Sequence, residues 1–197
     1  MDRIKRRGLI AAALALVAVP AFAQFSDSFQ FLKAVRDRDG EKVQAIVSNP
    51  SSTAINARER DSGEGALHIV TRGRDLTWLG FLLARGARAD IQDNEGITPL
   101  MIAAQIGWID GAETLLARRA SVDVPSNRGE TPLILAVHRR DLAMVRLLLS
   151  RGADATRTDS VAGYSALDYA RRDSRAGPIL RLLEAQRATP QQTGPAR

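Results

Sequence analysis

A chain of 197 residues that is 45% hydrophobic and 25% charged has the composition of an ordinary globular domain, and only 5% aromatic residues points to a core of Leu, Ala, Val and Ile between helices. The absence of cysteine excludes a disulfide framework, a thiolate metal site and a cysteine nucleophile together. The formal net charge of +6 would suit an anionic partner, but much of that excess sits in the first few residues.

Residues 1–23 read as a cleavable export signal. Arg3, Lys5, Arg6 and Arg7 form a basic n-region, Leu9 to Val19 is an apolar run of eleven residues, and Ala21-Phe22-Ala23 supplies a small-residue cleavage site before Gln24. Eleven residues are too few to cross a bilayer core of about 30 Å as a helix, so removal is expected rather than anchoring, with no membrane span left afterwards. The alanine-rich composition is of a bacterial kind and predicts a periplasmic or secreted protein. No cysteine follows the apolar run, so lipid attachment has no support. Arg6-Arg7-Gly8-Leu9-Ile10 also resembles a twin-arginine signal, which leaves two export routes open. Removal of the signal leaves 24 basic against 21 acidic side chains, a net charge of +3, and weakens the case for nucleic acid.

Beyond the signal, residues 25–59 read as a divergent first helix pair. Phe31, Ala34, Val35, Val43, Ile46 and Val47 fall at core positions, and Arg38-Asp39-Gly40 makes the turn between the helices. Ser26, Asp27 and Ser28 are candidate caps, with Phe25 and Phe29 as an aromatic lid over the open end. The stretch from Asn49 to Arg60 is longer than the other connections and reads as a looser loop.

From there the chain repeats. Gly65-Ala66-Leu67-His68, Thr98-Pro99-Leu100-Met101, Thr131-Pro132-Leu133-Ile134 and Ser165-Ala166-Leu167-Asp168 place a leucine at intervals of 33, 33 and 34 residues. Each leucine is followed by a pair, Leu82-Leu83, Leu115-Leu116, Leu148-Leu149 and Leu182-Leu183, and two of these run into Gly86-Ala87 and Gly152-Ala153, a helix C-terminal stop. Threonine at the N-cap bonds a free first-turn amide, and proline fits the first helical position, where no N–H is needed. Gly65-Ala66 predicts a less firmly capped helix in the unit 60–92, while the units 93–125 and 126–158 carry the fullest pattern. The unit 159–187 holds one extra residue in Asp159-Ser160-Val161-Ala162-Gly163, and Pro178 predicts that its second helix begins near Gly177. The tail, 188–197, has two prolines, a glycine and no apolar periodicity, and is expected to be disordered.

This pattern resembles the ankyrin repeat, over roughly residues 26–187. The resemblance implies an all-α helical solenoid of about five helix-turn-helix repeats with short hairpin loops, in a domain spanning 24–187. It implies a scaffold that binds another protein, as a monomer and without catalysis or cofactor. His68 matches the histidine of the family signature, whose role is to bond loop backbone and tie neighbouring repeats.

The residues themselves offer little chemistry. There is no phosphate loop, nucleophile elbow or zinc-protease helix. His68 and His138 lie two repeats apart, on the order of 20 Å at helix-layer spacings, so no shared metal is expected. Asp39, Asp75 and Asp141 share one register at the start of second helices, where aspartate caps free amides. At that register the third repeat has Trp108, beside Ile106 and Ile109, expected to be partly exposed and open to two readings, a corner-packing residue or a partner anchor. Trp78 reads as core or groove filling.

In the family the hairpin tips and the exposed end of each first helix form one concave face. The residues this places at the partner surface are Ile97, Ile106, Arg128, His138, Arg139, Tyr164 and Arg172, with Trp108 at the corner. Exposed isoleucine and tyrosine beside arginine is the mixture that protein interfaces favour. An accessory or inhibitor of an exported enzyme is the alternative, and a binder of anionic polymer a third reading, disfavoured by the interspersed acids.

Overall fold

The computed structural model describes residues 21–49 and 52–188, with side chains placed for 27–49 and 52–186. The expected signal lies outside the described residues except for its last three, which begin the first helix, and the expected disordered tail lies outside them except for Ala188.

Five helix pairs follow one another among the described residues. The first helices are α1 (Ala21–Arg36), α3 (Ala66–Arg72), α5 (Pro99–Ile106), α7 (Pro132–Arg139) and α9 (Ala166–Arg172). The second helices are α2 (Gly40–Val47), α4 (Leu76–Ala84), α6 (Ile109–Ala117), α8 (Leu142–Ser150) and α10 (Gly177–Ala188). Each first helix packs on its own partner and on the first helix of the next unit, while α4, α6, α8 and α10 stack in a second layer. The described chain has no strand and only two isolated antiparallel bridges, Arg58 with Gly65 and Thr158 with Ser165, at the bases of hairpin loops. This is the all-α solenoid that the repeat-family resemblance implies.

The caps explain why the helices start where they do. Thr98 accepts from the Met101 amide at 3.2 Å and Thr131 from the Ile134 amide at 3.3 Å, each with proline at the first helical position. Asp39, Asp75 and Asp141 each accept an amide hydrogen bond at 3.0 Å, from Lys42, Trp78 and Met144. The expected extra residue of the last unit sits in its hairpin tip, 159–163, and a second one lengthens the turn from Asp173 to Ala176, so α10 starts at Gly177 with Pro178 in its first turn. The consequence reaches the core. Leu82, Leu115 and Leu148, fifteen residues after their first-helix leucines, are fully buried, whereas in the last unit Leu183 takes that place and Leu182 is only partly covered.

Three expectations need correction at the N-terminal end. Ser26, Asp27 and Ser28 do not cap the first helix, because α1 runs through them from Ala21, and no glycine or proline interrupts that stretch. Phe29 is no lid: 64% of its surface is exposed, while Phe31 is buried. The connection after α2 is less loose than its length suggests. Its described part forms a 3-10 turn at Ala54–Asn56 with Ala54 buried, and the Asn56 side chain accepts the Arg88 amide at 2.8 Å. Asp90 and Asp123 repeat that tie on the Ser121 and Asp154 amides, so one edge of the solenoid is laced by side-chain-to-backbone bonds.

Candidate protein-binding face

The opposite edge is formed by the hairpin tips. Within each tip a short polar side chain closes the turn: Asp93 accepts the amides of Glu95 and Ile97, Ser126 those of Arg128 and Glu130, and Asp159 those of Val161, Ala162 and Gly163. Between tips the backbone continues the ladder. The Asn94 amide donates to the Ser62 carbonyl at 3.0 Å, Asn127 to Glu95 at 2.9 Å, and Ser160 to Arg128 at 2.8 Å. Side-chain amides double two of these rungs, Asn94 Nδ2 on Asp61 O and Asn127 Nδ2 on Asn94 O, both at 2.9 Å. Asn94 and Asn127 thus spend their donors on holding the tips together.

Gly96 makes this close approach possible. Its φ is +77°, and a Cβ there would stand 2.6 Å from the Asn127 backbone nitrogen. His68 is the second tie. Fully buried, it accepts the Gly65 amide at Nδ1 (3.0 Å) and donates from Nε2 to the Ile97 carbonyl (2.9 Å), which fixes its neutral tautomer. Gly65 has no side chain to cap α3, so the imidazole satisfies from inside the helix the amide at its start. Burial pushes the His68 pKa below its ordinary value.

Of the residues expected at the partner surface, Arg128, His138, Arg139 and Arg172 are exposed and Tyr164 is half-buried. Ile97 and Ile106 are not open contacts: both are half-buried and pack against the core. Trp108 departs furthest from its expected partial exposure. It is 7% exposed, because the absence of a side chain at Gly111 lets the indole lie down on α6, where a Cβ at Gly111 would meet the ring at 2.1 Å. This is the corner-packing arrangement, in which little of the ring is left for a partner to touch. Trp78 packs edge-on against Phe81, with ring centroids 5.8 Å apart.

Two registers line the face. Arg72, Gln105, His138 and Arg172 occupy equivalent positions near the ends of the first helices, and Glu64, Ile97, Glu130 and Tyr164 occupy equivalent positions at the hairpins. In the second unit the two registers meet as an ion pair, Arg72 Nε on Glu64 Oε1 at 2.8 Å. In the fifth they meet as a cation on a ring, Arg172 lying over Tyr164 with 4.5 Å to the centroid. Tyr169 joins the cluster, edge-on to His138 at 4.2 Å and to Tyr164 at 5.5 Å. Its hydroxyl donates to Asp159 Oδ2 at 2.5 Å, which pushes the phenol up to about 12. Burial opposes the charge on Asp159, yet the Tyr169 hydroxyl and the tip amides together hold its carboxyl below the ordinary value. Sequence reading missed Tyr169. The signal was its register, shared with Ile69, Ile102 and Leu135, where an aromatic hydroxyl breaks an aliphatic series.

Two clefts open on this side. One, about 370 Å³, lies between the second and third units and is lined by Asp61, Glu64, Asp93 and Glu95 with Arg72 as its one cation. The other, about 400 Å³, lies between the fourth and fifth and is lined by Val137, His138, Tyr169, Arg140, Arg172, Asp173 and Arg175. Among the described residues no three carboxylates or histidines converge as metal ligands, and no helix is long and apolar enough to cross a membrane.

Stacked helix pairs with hydrogen-bonded tips and an internal tie at His68 define a protein of the helical-repeat class. The pattern that describes ankyrin repeats in three copies matches residues 31–125 and again 67–159. The chain belongs to the ankyrin repeat family, whose members generally serve as protein–protein interaction modules and are typically non-catalytic.

Proposed function

We propose that this protein is exported, loses residues 1–23, and acts outside the cytoplasm as a non-catalytic module that binds another protein through the hairpin-tip face of its third to fifth repeats. The observation that carries the reading is the grouping of His138, Tyr164, Tyr169 and Arg172 on adjacent units, with Arg139 exposed beside them. Tyrosine and arginine dominate binding hot spots because they give large contact area and directed hydrogen bonds. Here Tyr164 and Arg172 are already held against one another, which lowers the ordering cost of binding.

The test has two parts. Mass spectrometry of the mature protein should find Gln24 at its N-terminus in an extracytoplasmic fraction, and recovery of the intact chain from cytoplasm alone would end the export reading. Alanine at Arg139, Tyr164 and Arg172 together should weaken partner binding by at least ~2 kcal/mol, the hot-spot threshold, with little change in the melting curve. Normal binding by that triple variant would remove the face assignment.

A further inference from the structure

We propose that the cleft between the fourth and fifth repeats receives a carboxylate, so that the partner presents an acidic segment there and a basic one at the cleft between the second and third; this rests on the protein-binding reading above. The basic cleft has three guanidinium groups, Arg140, Arg172 and Arg175, against one carboxylate, Asp173. That carboxylate is spoken for. It accepts Arg140 Nε at 2.5 Å and the Arg175 amide at 3.0 Å. No ion pair among the described residues joins Arg172 or Arg175 to a carboxylate, and both are exposed. Arg172 Cζ stands 4.5 Å from the Tyr164 ring centroid, a contact with a ring that leaves the N–H fork of its guanidinium without a carboxylate partner. A carboxylate is the group that matches such a fork with two parallel hydrogen bonds. The floor beside it, Val137 and the Tyr169 ring, is apolar or aromatic, since the Tyr169 hydroxyl is turned to Asp159. An acidic residue next to an apolar one fits both halves of the cleft.

The other cleft decides between a protein and a polyanion. With Glu64 paired to Arg72, the charges of Asp61, Asp93 and Glu95 remain to repel a phosphate backbone laid along the same face, whereas a protein segment of mixed charge can satisfy both ends and is thereby held in one direction.

The full chain would be titrated with three fluorescent probes: a short peptide alternating leucine and glutamate, its counterpart with lysine for glutamate, and a short oligothymidine. The glutamate peptide should bind, lose at least tenfold in affinity to the double variant R172A/R175A, and be unaffected by E95Q. The lysine peptide should lose affinity to E95Q and not to the double variant. Circular dichroism melts of the variants should overlay the parent, and a charge-reversing R175E should reproduce the loss if R172A disturbs Tyr164. No binding of the glutamate peptide, equal binding of the oligothymidine, or indifference to both arginine variants would each overturn the proposal. If the glutamate peptide fails while partner binding still depends on Arg139, Tyr164 and Arg172, the carboxylate assignment falls and the protein-binding reading stands. If the peptide binds as expected but the triple variant still binds the partner normally, the reverse holds.

Discussion

His68 offers the sharpest test of how the repeats are joined. Replacing it by leucine keeps much of the volume and removes both hydrogen bonds. The two losses are unequal. The Ile97 carbonyl still accepts the Asp93 amide at 3.0 Å, so it forfeits one ordinary bond, about 0.5–1.5 kcal/mol. The Gly65 amide is left buried without a partner, about 1–3 kcal/mol, and His68→Leu should therefore cost roughly 1.5–4.5 kcal/mol in sum. His68→Asn can still accept the Gly65 amide and should cost only about 1–2 kcal/mol. The pH dependence has a definite sign. Because burial depresses the folded-state pKa, the imidazole's contribution is complete above the unfolded value near 6.5 and is lost as pH falls through the lower folded value. Urea unfolding followed by circular dichroism at pH 7.5 and at steps down to pH 5 should show the gap between the parent and His68→Leu narrowing with acid. An asparagine variant as damaged as the leucine one, or a gap that does not change with pH, would refute the two-bond account.

Tyr169→Phe should destabilise by about 1.5–3 kcal/mol, the range for a hydrogen bond to a charged group, as read from urea midpoints at pH 7. The parent's advantage should vanish as pH rises from 10 through about 12, where the raised phenol finally ionises, and also as pH falls through the depressed pKa of Asp159. Gly96→Ala should cost more than Gly163→Ala in the same assay: both have positive φ, so both incur about 1–2 kcal/mol of left-handed strain, but only Gly96 would drive a Cβ into the next tip. Thr131→Ala should cost about 1 kcal/mol through its lost cap, and Leu133→Ala roughly 2–5 kcal/mol through the cavity left at a fully buried site. Equal, negligible effects in that last pair would mean that the repeat register is misassigned.

The helix pairs were legible because leucine spacing, Thr-Pro caps and the aspartate register all report the same local geometry, and each needs only neighbours a few residues away. What escaped depends on contacts made across units. Asn94 and Asn127 look like solvated tip residues in the sequence, and only the stacking of one hairpin on the next turns their amides onto carbonyls 33 residues earlier. Arginine in the left-handed turn was equally hidden. Arg38, Arg74 and Arg140 have φ values of +59°, +50° and +58° at the register where the third repeat has Gly107, and from there they reach the next unit. Arg38 and Arg140 pair with Asp75 and Asp173, and Arg74 donates to the Ile106 carbonyl. A non-glycine residue in that conformation carries a strain of about 1–2 kcal/mol, and the hydrogen bonds that Arg74 and Arg140 make to the next unit offset it. Of the candidate site, Tyr164 and Arg172 were named from the positions that the family presents, but Tyr169 and Arg175 were not, because they enter through ring packing and the long last turn.

The third repeat departs from its neighbours in a way that makes one further outcome calculable. In the second and fourth units an aspartate caps the second helix and a large side chain follows three residues later, Asp75 with Trp78 and Asp141 with Met144. The third reverses the sizes, with Trp108 at the cap position making no side-chain cap and Gly111 leaving the space its ring fills. Bulk has moved by one helical turn, so each partner is wrong without the other. Trp108→Asp alone removes a buried indole, at about 3–5 kcal/mol, against about 1 kcal/mol regained from the cap. Gly111→Met alone drives a side chain into the ring, at about 1–3 kcal/mol or more. The double variant rebuilds the arrangement of the neighbouring repeats and gives Arg74 a carboxylate across the interface, as Arg38 has in Asp75. It should lie within about 1.5 kcal/mol of the parent, the range of a tolerated volume-conserving swap. The pairwise coupling should be strongly favourable in a double-mutant cycle measured by circular dichroism, which does not depend on the lost indole. Additive penalties would show that Trp108 and Gly111 do not share one volume.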